Sequence, residues 1–223
     1  MSVPERRSCC EENLARLAYD GLNAEADLDR WRTGRLNPVT RELIDVLRDH
    51  DVEGARVLDI GAGVGAVHVA LLEAGAATAV DVDASREYLA AARAEAERRG
   101  LAGRVEYRFG DVVEVAAGLP AVDIVTLDSV ICCNPDLGAL LTAATRTGPR
   151  LVGITYPRDA WWMRAYMRGY NVWSALRRSP ARYFIHRHAR LERWMADAGY
   201  RNVHEGGIRA WRVVLYLRSE AAR

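Results

Sequence analysis

The sequence has no lysine and no glutamine, so arginine supplies all 31 of its basic side chains. The absence of lysine excludes reactions that need a lysine Schiff base or a lysine general base. Acidic residues number 30, and the formal net charge is +1. This balance gives no overall electrostatic reason to expect a nucleic acid partner.

Cysteine is scarce, and its four copies form two adjacent pairs, Cys9-Cys10 and Cys132-Cys133. Neighbouring cysteines rarely form a disulfide with each other, so reduced thiols are expected. No run reaches the roughly 18 apolar residues that cross a bilayer, and the polar start has no secretory apolar region. The spacing of histidine, cysteine and acidic residues matches no metal site. We therefore expect a cytoplasmic protein without stable membrane insertion and without a metal.

Apolar strands alternate with helices through most of the chain. The predicted strands cover residues 56–60, 78–82, 105–109, 122–127 and 151–156, with helices at 64–74, 85–99 and 137–145. A helix at 190–198 and strands at 202–208 and 211–217 end the pattern. This order predicts an α/β fold with a doubly wound, mostly parallel, seven-stranded Rossmann-like sheet and an antiparallel C-terminal edge strand.

The length of 223 residues suits one domain. Within it the pattern separates four parts. They are a helical N-terminal cap at 1–52, a cofactor-binding core at 53–156, a helical lid inserted after the fifth strand at 157–190, and the last helix and C-terminal strands at 191–223.

A glycine-rich loop, residues 61–66, follows the first strand and has the sequence Gly-Ala-Gly-Val-Gly-Ala. Such a loop lets the backbone approach a nucleotide-like ligand at the carboxyl end of a strand. It also fits the dinucleotide pattern G-x-G-x-x-G/A, so NAD is an alternative. Three acidic residues bear on whether the ligand is NAD. Asp59 precedes the loop, Asp83 ends the second strand and Asp111 follows the third. NAD binding would leave Asp59 and Asp111 without a role.

This ordered set resembles the class I S-adenosylmethionine-dependent methyltransferases over about residues 55–130. The resemblance implies S-adenosylmethionine as cofactor, with the glycine loop on its methionine part and ribose, Asp83 on the ribose hydroxyls and Asp111 on the adenine. It implies that Asp59 orders the loop or reaches the methionine amino group through water. The implied cofactor residues are Asp59, Gly61, Ala62, Gly63, Gly65, Asp83, Ala84, Gly110, Asp111, Val112, Asp128 and Ser129.

Residues 128–136 follow the fourth strand, where the loop of such a fold faces the methyl acceptor. Together with residues 154–158 and 184–186, they are similar to the magnesium-protoporphyrin IX methyltransferase group and its bacterial relatives. That resemblance implies a carboxylate acceptor, which needs no general base. Two features depart from the group: Asn134 stands where an aromatic residue is expected, and residues 157–190 are rich in tryptophan.

Residues 157–190 carry eight arginines against one acid, Asp159, together with seven aromatic side chains. At helical spacing, Trp162, Met163, Tyr166, Met167, Tyr170 and Trp173 share one broad arc. One interpretation is a lid that binds a planar or anionic substrate by stacking and by arginine contacts. The alternatives are a helix that simply packs on the domain and a helix that docks on an anionic membrane surface. The candidate acceptor pocket comprises Trp31, Tyr156, Trp162, Tyr166 and Tyr183.

His186 is the candidate general base, because the ordinary pKa of histidine suits proton removal near neutral pH. Asp128 is the second catalytic candidate. The sequence therefore predicts an enzyme that transfers a methyl group to an oxygen or nitrogen of a small molecule, and it leaves the oligomeric state open. The alternatives are a carboxylate O-methyltransferase of the porphyrin type, a non-catalytic cofactor-binding module and an RNA methyltransferase. Against RNA, Asn134-Pro135-Asp136 lacks the aromatic residue that would stack on a base.

Overall fold

Seven strands form a single sheet in a computed structural model that describes residues 21–178 and 182–219. The strands are β1 (Arg56–Ile60), β2 (Thr78–Asp83), β3 (Val105–Phe109), β4 (Ile124–Asp128), β5 (Leu151–Pro157), β6 (Tyr200–Gly207) and β7 (Trp211–Arg218). The α-helices are α1 (Gly21–Arg32), α2 (Pro38–Arg48), α3 (Ala66–Glu73), α4 (Arg86–Arg98), α5 (Val112–Val115), α6 (Leu137–Thr145), α7 (Trp161–Leu176) and α8 (His188–Asp197).

The strand order is β3-β2-β1-β4-β5-β7-β6, and the first five strands are mutually parallel. This confirms the predicted mostly parallel, Rossmann-like sheet. The antiparallel strand β7 lies between β5 and β6, so β6 occupies the edge. The chain leaves β1 in one direction across the sheet and returns to β4 on the other side. In such sheets the carboxyl ends on either side of this switch point form a crevice for ligands.

Apolar clusters cover both faces of the sheet. β5 is buried along its whole length, and β4 is buried except at its last residue. Helix α2 shows how the sequence directs this packing. Asn37 accepts a hydrogen bond from the backbone N–H of Val39, and Pro38 occupies the first turn. Helical spacing then places Val39, Leu43 and Leu47 on one face, where all three are fully buried.

The helices and strands match the sequence prediction to within a few residues at their ends. Helix α3 begins at Ala66, two residues later than predicted, because Gly65 has a left-handed backbone with φ of 83°. The last helix begins at His188, two residues earlier. Residues 1–20 of the predicted cap, with Cys9 and Cys10, lie outside the described residues. The four-part division of the chain stays a prediction.

Helix α7 packs on the domain through a narrower arc than the aromatic spacing predicted. Met163 and Ser174 are buried, whereas Tyr166 and Trp173 of the predicted arc are exposed by 64% and 48%. The orientation of α7 about its own axis therefore differs from the predicted one, and part of its aromatic surface faces solvent. Within residues 21–178 and 182–219, every helix is too short or too polar to traverse a bilayer.

Candidate functional site

The glycine loop turns sharply between β1 and α3 and approaches the loop after β4. Gly61 has a φ of 62°, and a Cβ atom at this position would lie 2.6 Å from Cγ2 of Val130. Only glycine fits both the left-handed backbone and the close contact. The backbone N–H of Gly61 also donates to the carbonyl of Val82 at 2.7 Å, which ties the start of the loop to β2.

Asp83, the last residue of β2, fixes the middle of the glycine loop. Its Oδ2 accepts a hydrogen bond from the backbone N–H of Gly63 at 3.0 Å, and its Oδ1 accepts one from Ser85 at 2.7 Å. The side chain is buried, and burial raises the pKa of its carboxyl to about 6, against the lowering effect of the two backbone N–H groups. The strand end thus presents an acceptor that ionises close to neutral pH.

A cavity of about 410 Å³ lies between the glycine loop, the ends of β2 and β4 and the N-terminal helices. Its lining includes seven of the predicted cofactor residues: Gly61, Ala62, Gly63, Asp83, Ala84, Asp128 and Ser129. The structure brings these residues together although they come from three separate segments of the chain. The cavity occupies the crevice expected at the switch point of such a sheet.

Asp128, the last residue of β4, lines the cavity and accepts hydrogen bonds from several hydroxyl groups. Thr40 Oγ1 donates to Oδ2 at 2.5 Å, and Thr155 and Ser129 donate to Oδ1. Burial raises the pKa of Asp128, and the hydroxyl hydrogen bonds oppose that change. The next residue, Ser129, has a positive φ of 65° and donates its backbone N–H to Thr155. The strained backbone at Ser129 directs the end of β4 toward the cavity.

Asp59 lies beneath the glycine loop and does not line the cavity. It is fully buried, with Oδ2 accepting from the backbone N–H of His68 at 3.2 Å and lying 3.0 Å from His68 Nδ1. Its Oδ1 accepts from Thr126 Oγ1 at 2.6 Å. Asp59 therefore joins β1, β4 and α3, and its role in ordering the loop stays a prediction.

Comparison with known proteins identifies the domain. A family model described as a methyltransferase domain matches residues 57–147. A magnesium-protoporphyrin O-methyltransferase from Rhodobacter capsulatus is 32% identical over 151 residues, which are 66% of this chain and 65% of that protein. A ribosomal protein L11 methyltransferase from Edwardsiella ictaluri is 33% identical over 114 residues, which are 47% of this chain but 38% of that protein. The chain therefore spans less than two thirds of the length of these relatives.

The fold agrees with that family. A crystal structure of magnesium protoporphyrin IX methyltransferase from Synechocystis PCC 6803 with bound S-adenosylmethionine superposes with a TM-score of 0.71. The match covers 97% of this chain and all of that one at 16% identity. Residues 57–147 match a methyltransferase domain, in agreement with the predicted class I S-adenosylmethionine-dependent family. S-adenosylmethionine is the methyl donor of this class, and the sequence-based recognition is confirmed.

In this methyltransferase domain the predicted adenine residues lie beside the cavity but do not line it. Asp111 begins α5, where its Oδ1 accepts from the backbone N–H of Val113 at 2.9 Å. Its Oδ2 is buried and has no hydrogen-bond partner among the described residues. Gly110 donates its N–H to the carbonyl of Asp83, and Val112 packs in the core. Gly65 does not line the cavity either and lies at the N-cap position, directly before α3.

The five aromatic residues predicted for the acceptor pocket of the methyltransferase do not line this cavity. The Trp31 ring lies under the guanidinium of Arg99 at 4.4 Å. Tyr156 is buried and its hydroxyl hydrogen-bonds His188 Nδ1. Trp162 lies near Arg209, Tyr166 is exposed, and Tyr183 hydrogen-bonds Asn171 through its backbone.

His186 also lies away from the cavity lining. Its Nε2 lies 2.8 Å from the carbonyl oxygen of Asn134, and burial lowers its pKa. Two residues earlier, Phe184 donates its N–H to the carbonyl of Cys132. Both contacts fasten the chain after α7 to the loop after β4. The structure thus gives His186 a positioning contact and no place in the cavity.

The sequence did not single out several residues that line the methyltransferase cavity. They are Asp27, Arg30, Arg35, Leu36, Asn37 and Thr40 from the first two helices and the loop between them, and Tyr88 of α4. Val130 and Cys133 also line the cavity, and they belong to the loop of residues 128–136 that was expected to face the acceptor. The Tyr88 hydroxyl donates to Asp27 Oδ2 at 2.8 Å, so α1 closes over the glycine loop. The i, i+3 spacing of Asp27 and Arg30 signals one polar helix face. No local sequence pattern predicts that this polar face of α1 lies over the cavity.

No group of three or more histidine, cysteine, aspartate or glutamate side chains in the described part of the chain could hold a metal ion. The thiols of Cys132 and Cys133 lie 3.9 Å apart, and both contact the carbonyl oxygen of Ser129. Cys133 contributes to the cavity lining.

Proposed function

We propose that this protein transfers the methyl group of S-adenosylmethionine to an oxygen or nitrogen atom of a small molecule. The observation that carries the proposal is the 410 Å³ cavity, in which the glycine loop lies between two carboxyl groups, the buried Asp83 and the partly buried Asp128. The carboxyl ends of β2 and β4 hold these groups on opposite sides of the loop.

Each chemical part of the cofactor has a fitting partner in this proposal. Gly61 and Gly63 have no side chain, so their backbone can lie against the methionine part. A side chain at Gly61 would also collide with Val130. Asp83 accepts hydrogen bonds from the ribose hydroxyls in addition to its two backbone donors. Asp128 accepts from the methionine amino group beside its hydroxyl donors. The second oxygen of Asp111 is the acceptor for the adenine amino group.

Methyl transfer needs alignment more than proton chemistry. The sulfonium supplies an already activated methyl group, so the chain's task is to orient the acceptor in line and to exclude water. Val130, Cys133, Leu36 and Thr40 contribute to the wall that surrounds the cavity. A general base is required only for an acceptor that must lose a proton.

A carboxylate acceptor of the porphyrin type is the second candidate. The Rhodobacter relative supports it, and so do Arg30 and Arg35, which line the cavity and are suited to binding an anionic group. Both arginines are paired with exposed acids, Asp27 and Asp29. Such exposed pairs are worth little and exchange readily for a ligand carboxylate.

Two experiments test the proposal. Calorimetry should detect binding of S-adenosylmethionine and of its demethylated product, and absence of binding to both would contradict it. Incubation of enzyme and cofactor with a cell extract should yield a small molecule heavier by one methylene in a mass spectrum. Methyl transfer to ribosomal protein or RNA alone would contradict the small-molecule acceptor. Cofactor binding with no acceptor of any kind would indicate a non-catalytic module.

Arg35→Gln separates the two acceptor classes. A carboxylate acceptor should show an increase in KM of about tenfold, because a charge-assisted hydrogen bond is lost. A neutral acceptor should show an unchanged KM. Cofactor affinity, measured in parallel, reports whether Arg35 contacts the cofactor instead.

A further inference from the structure

Helix α7 presents an unusual surface to solvent. One side of the helix, here named the exposed apolar face, consists of Trp161, Ala165, Tyr166, Gly169, Val172, Trp173 and Leu176. Trp161 and Leu176, at the two ends of the helix, are each 80% exposed. The residues recur at spacings of three and four, so they form one continuous stripe along the helix.

The opposite side of α7 already supplies the contact with the domain. Met163 and Ser174 are buried there, and Met167 is partly buried. Among residues 21–178 and 182–219, the exposed apolar face is therefore a second apolar surface that stays largely uncovered. Soluble proteins rarely leave a contiguous apolar surface of this kind uncovered, and such surfaces mark interaction sites.

Arginines border the exposed apolar face. At 3.6 residues per turn, Arg164 and Arg168 fall along one edge and Arg177 falls along the other. From residue 160 to residue 191 the sequence has seven arginines and no acidic residue. Because the whole chain carries only +1, the remaining residues are together net negative. Positive charge is thus concentrated in the segment of the chain that contains α7.

We propose that the exposed apolar face of α7 docks the protein on an anionic lipid surface. A helix of 16 residues is about 24 Å long, so it lies flat on the surface and does not span it. Tryptophan and tyrosine side chains suit the boundary between acyl chains and headgroups, and arginine binds lipid phosphates. This proposal is independent of the acceptor, because the exposed apolar face lies outside the cavity lining.

A second copy of the chain fits this surface less well. An isologous contact would place the two copies of α7 against each other and bring their arginine borders together. No acidic side chain on α7 is present to neutralise them, and the nearest acid, Asp159, pairs with Arg164 of its own chain. An anionic bilayer supplies the missing negative charge.

Sedimentation of the full chain with lipid vesicles tests the proposal. The protein should sediment with vesicles made from about equal amounts of phosphatidylcholine and phosphatidylglycerol, and not with phosphatidylcholine alone. Added salt should weaken binding, because exposed charges are screened within about 10 Å at 0.1 M. Equal binding to both vesicles, or to neither, would overturn the proposal.

Two triple variants and two matched controls locate the binding surface. Trp161→Ser/Val172→Ser/Leu176→Ser should abolish vesicle binding, whereas Val113→Ser/Ile208→Ser, at exposed apolar positions elsewhere, should not. Arg164→Gln/Arg168→Gln/Arg177→Gln should weaken binding at least about tenfold. The control Arg146→Gln/Arg193→Gln/Arg201→Gln removes three exposed arginines outside α7 and should have a smaller effect.

Three further readouts keep the result unambiguous. Thermal unfolding and cofactor binding should be unchanged in the α7 variants, which separates lost docking from misfolding. Vesicle binding that survives both α7 variants would show that another segment carries it and would overturn the proposal. A dimer in analytical ultracentrifugation that the apolar triple variant dissociates, without vesicle binding, would instead show that a second copy covers this face.

Discussion

The Asp83 carboxylate accepts a hydrogen bond from the backbone N–H of Gly63 at 3.0 Å, so the end of β2 holds the middle of the glycine loop. A second bond from Ser85 fixes the orientation of the same carboxylate. The acceptor proposed for the ribose hydroxyls is therefore rigid before any ligand arrives. Rigidity of this kind lowers the entropic cost of binding.

Asp83→Asn should weaken S-adenosylmethionine binding by about tenfold to a hundredfold, because hydrogen bonds to a charged acceptor contribute about 1.5–3 kcal/mol each. Isothermal calorimetry measures the change. Asp81→Asn is the matched control: Asp81 lies in the same strand, is buried and lies outside the cavity lining. Burial also raises the pKa of Asp81, so an amide resembles its neutral form. Equal losses in both variants would contradict a direct role for Asp83.

Cofactor affinity should depend on pH through Asp83. Its pKa of about 6 means that the carboxylate, which is the better acceptor, is a minor form at pH 5. Binding should therefore be about tenfold weaker at pH 5 than at pH 7. The same raised pKa stabilises the fold below the ordinary value of 3.8, and that contribution is lost as the pH rises through about 6. Calorimetry at several pH values, with Asp83→Asn as the reference, checks the prediction, and an equal slope in the variant would refute it.

Gly61→Ala should destabilise the protein by about 1–3 kcal/mol and weaken cofactor binding, because the new Cβ would lie 2.6 Å from Val130 in a left-handed backbone. Gly54→Ala is the control, since Gly54 has a similar φ of 68° but no atom within 4 Å of its Cβ position. The difference between the two variants in the free energy of unfolding, measured in urea, separates the steric cost of the Val130 contact from the cost of the left-handed backbone. Adding Val130→Ala to Gly61→Ala should restore part of the lost stability, and failure to do so would argue against this contact.

Asp59→Ala should lower the free energy of unfolding by about 3–5 kcal/mol, because it removes the acceptor for His68 and Thr126 in a fully buried site. The loss should appear in the absence of cofactor, in contrast to the effect of Asp83→Asn on binding. Urea unfolding of the protein without added ligand measures it. A normal unfolding curve combined with lost cofactor binding would instead place Asp59 in the ligand site.

Local sequence patterns predicted the strands, the helices and the glycine loop, since each depends on spacing within a few residues. They placed Asp59, Asp83, Asp111 and Asp128 together as cofactor residues, whereas Asp83 and Asp128 line the cavity and the other two do not. Asp59 and Asp83 both lie in parallel strands near the loop, yet Asp59 points beneath it and Asp83 points into the cavity. Alternation along a strand assigns side chains to faces, but packing decides what covers each face.

The aromatic residues of α7 show the same limit. Helical spacing placed Tyr166 and Trp173 on an arc with Met163, but the helix packs through Met163 and leaves both aromatic side chains exposed. Spacing defines relative positions around a helix axis, while the rotation about that axis depends on the neighbouring surface.

The sequence by itself determined the order of elements, the class of domain and its cofactor, because these rest on short-range pattern and on motifs with fixed spacing. Only the tertiary structure decided which side chains enclose the cavity. The contacts of Thr40 with Asp128 and of Asp27 with Tyr88 join residues 88 and 61 positions apart. No local preference encodes such contacts, since they form only when the N-terminal helices pack over the strand ends.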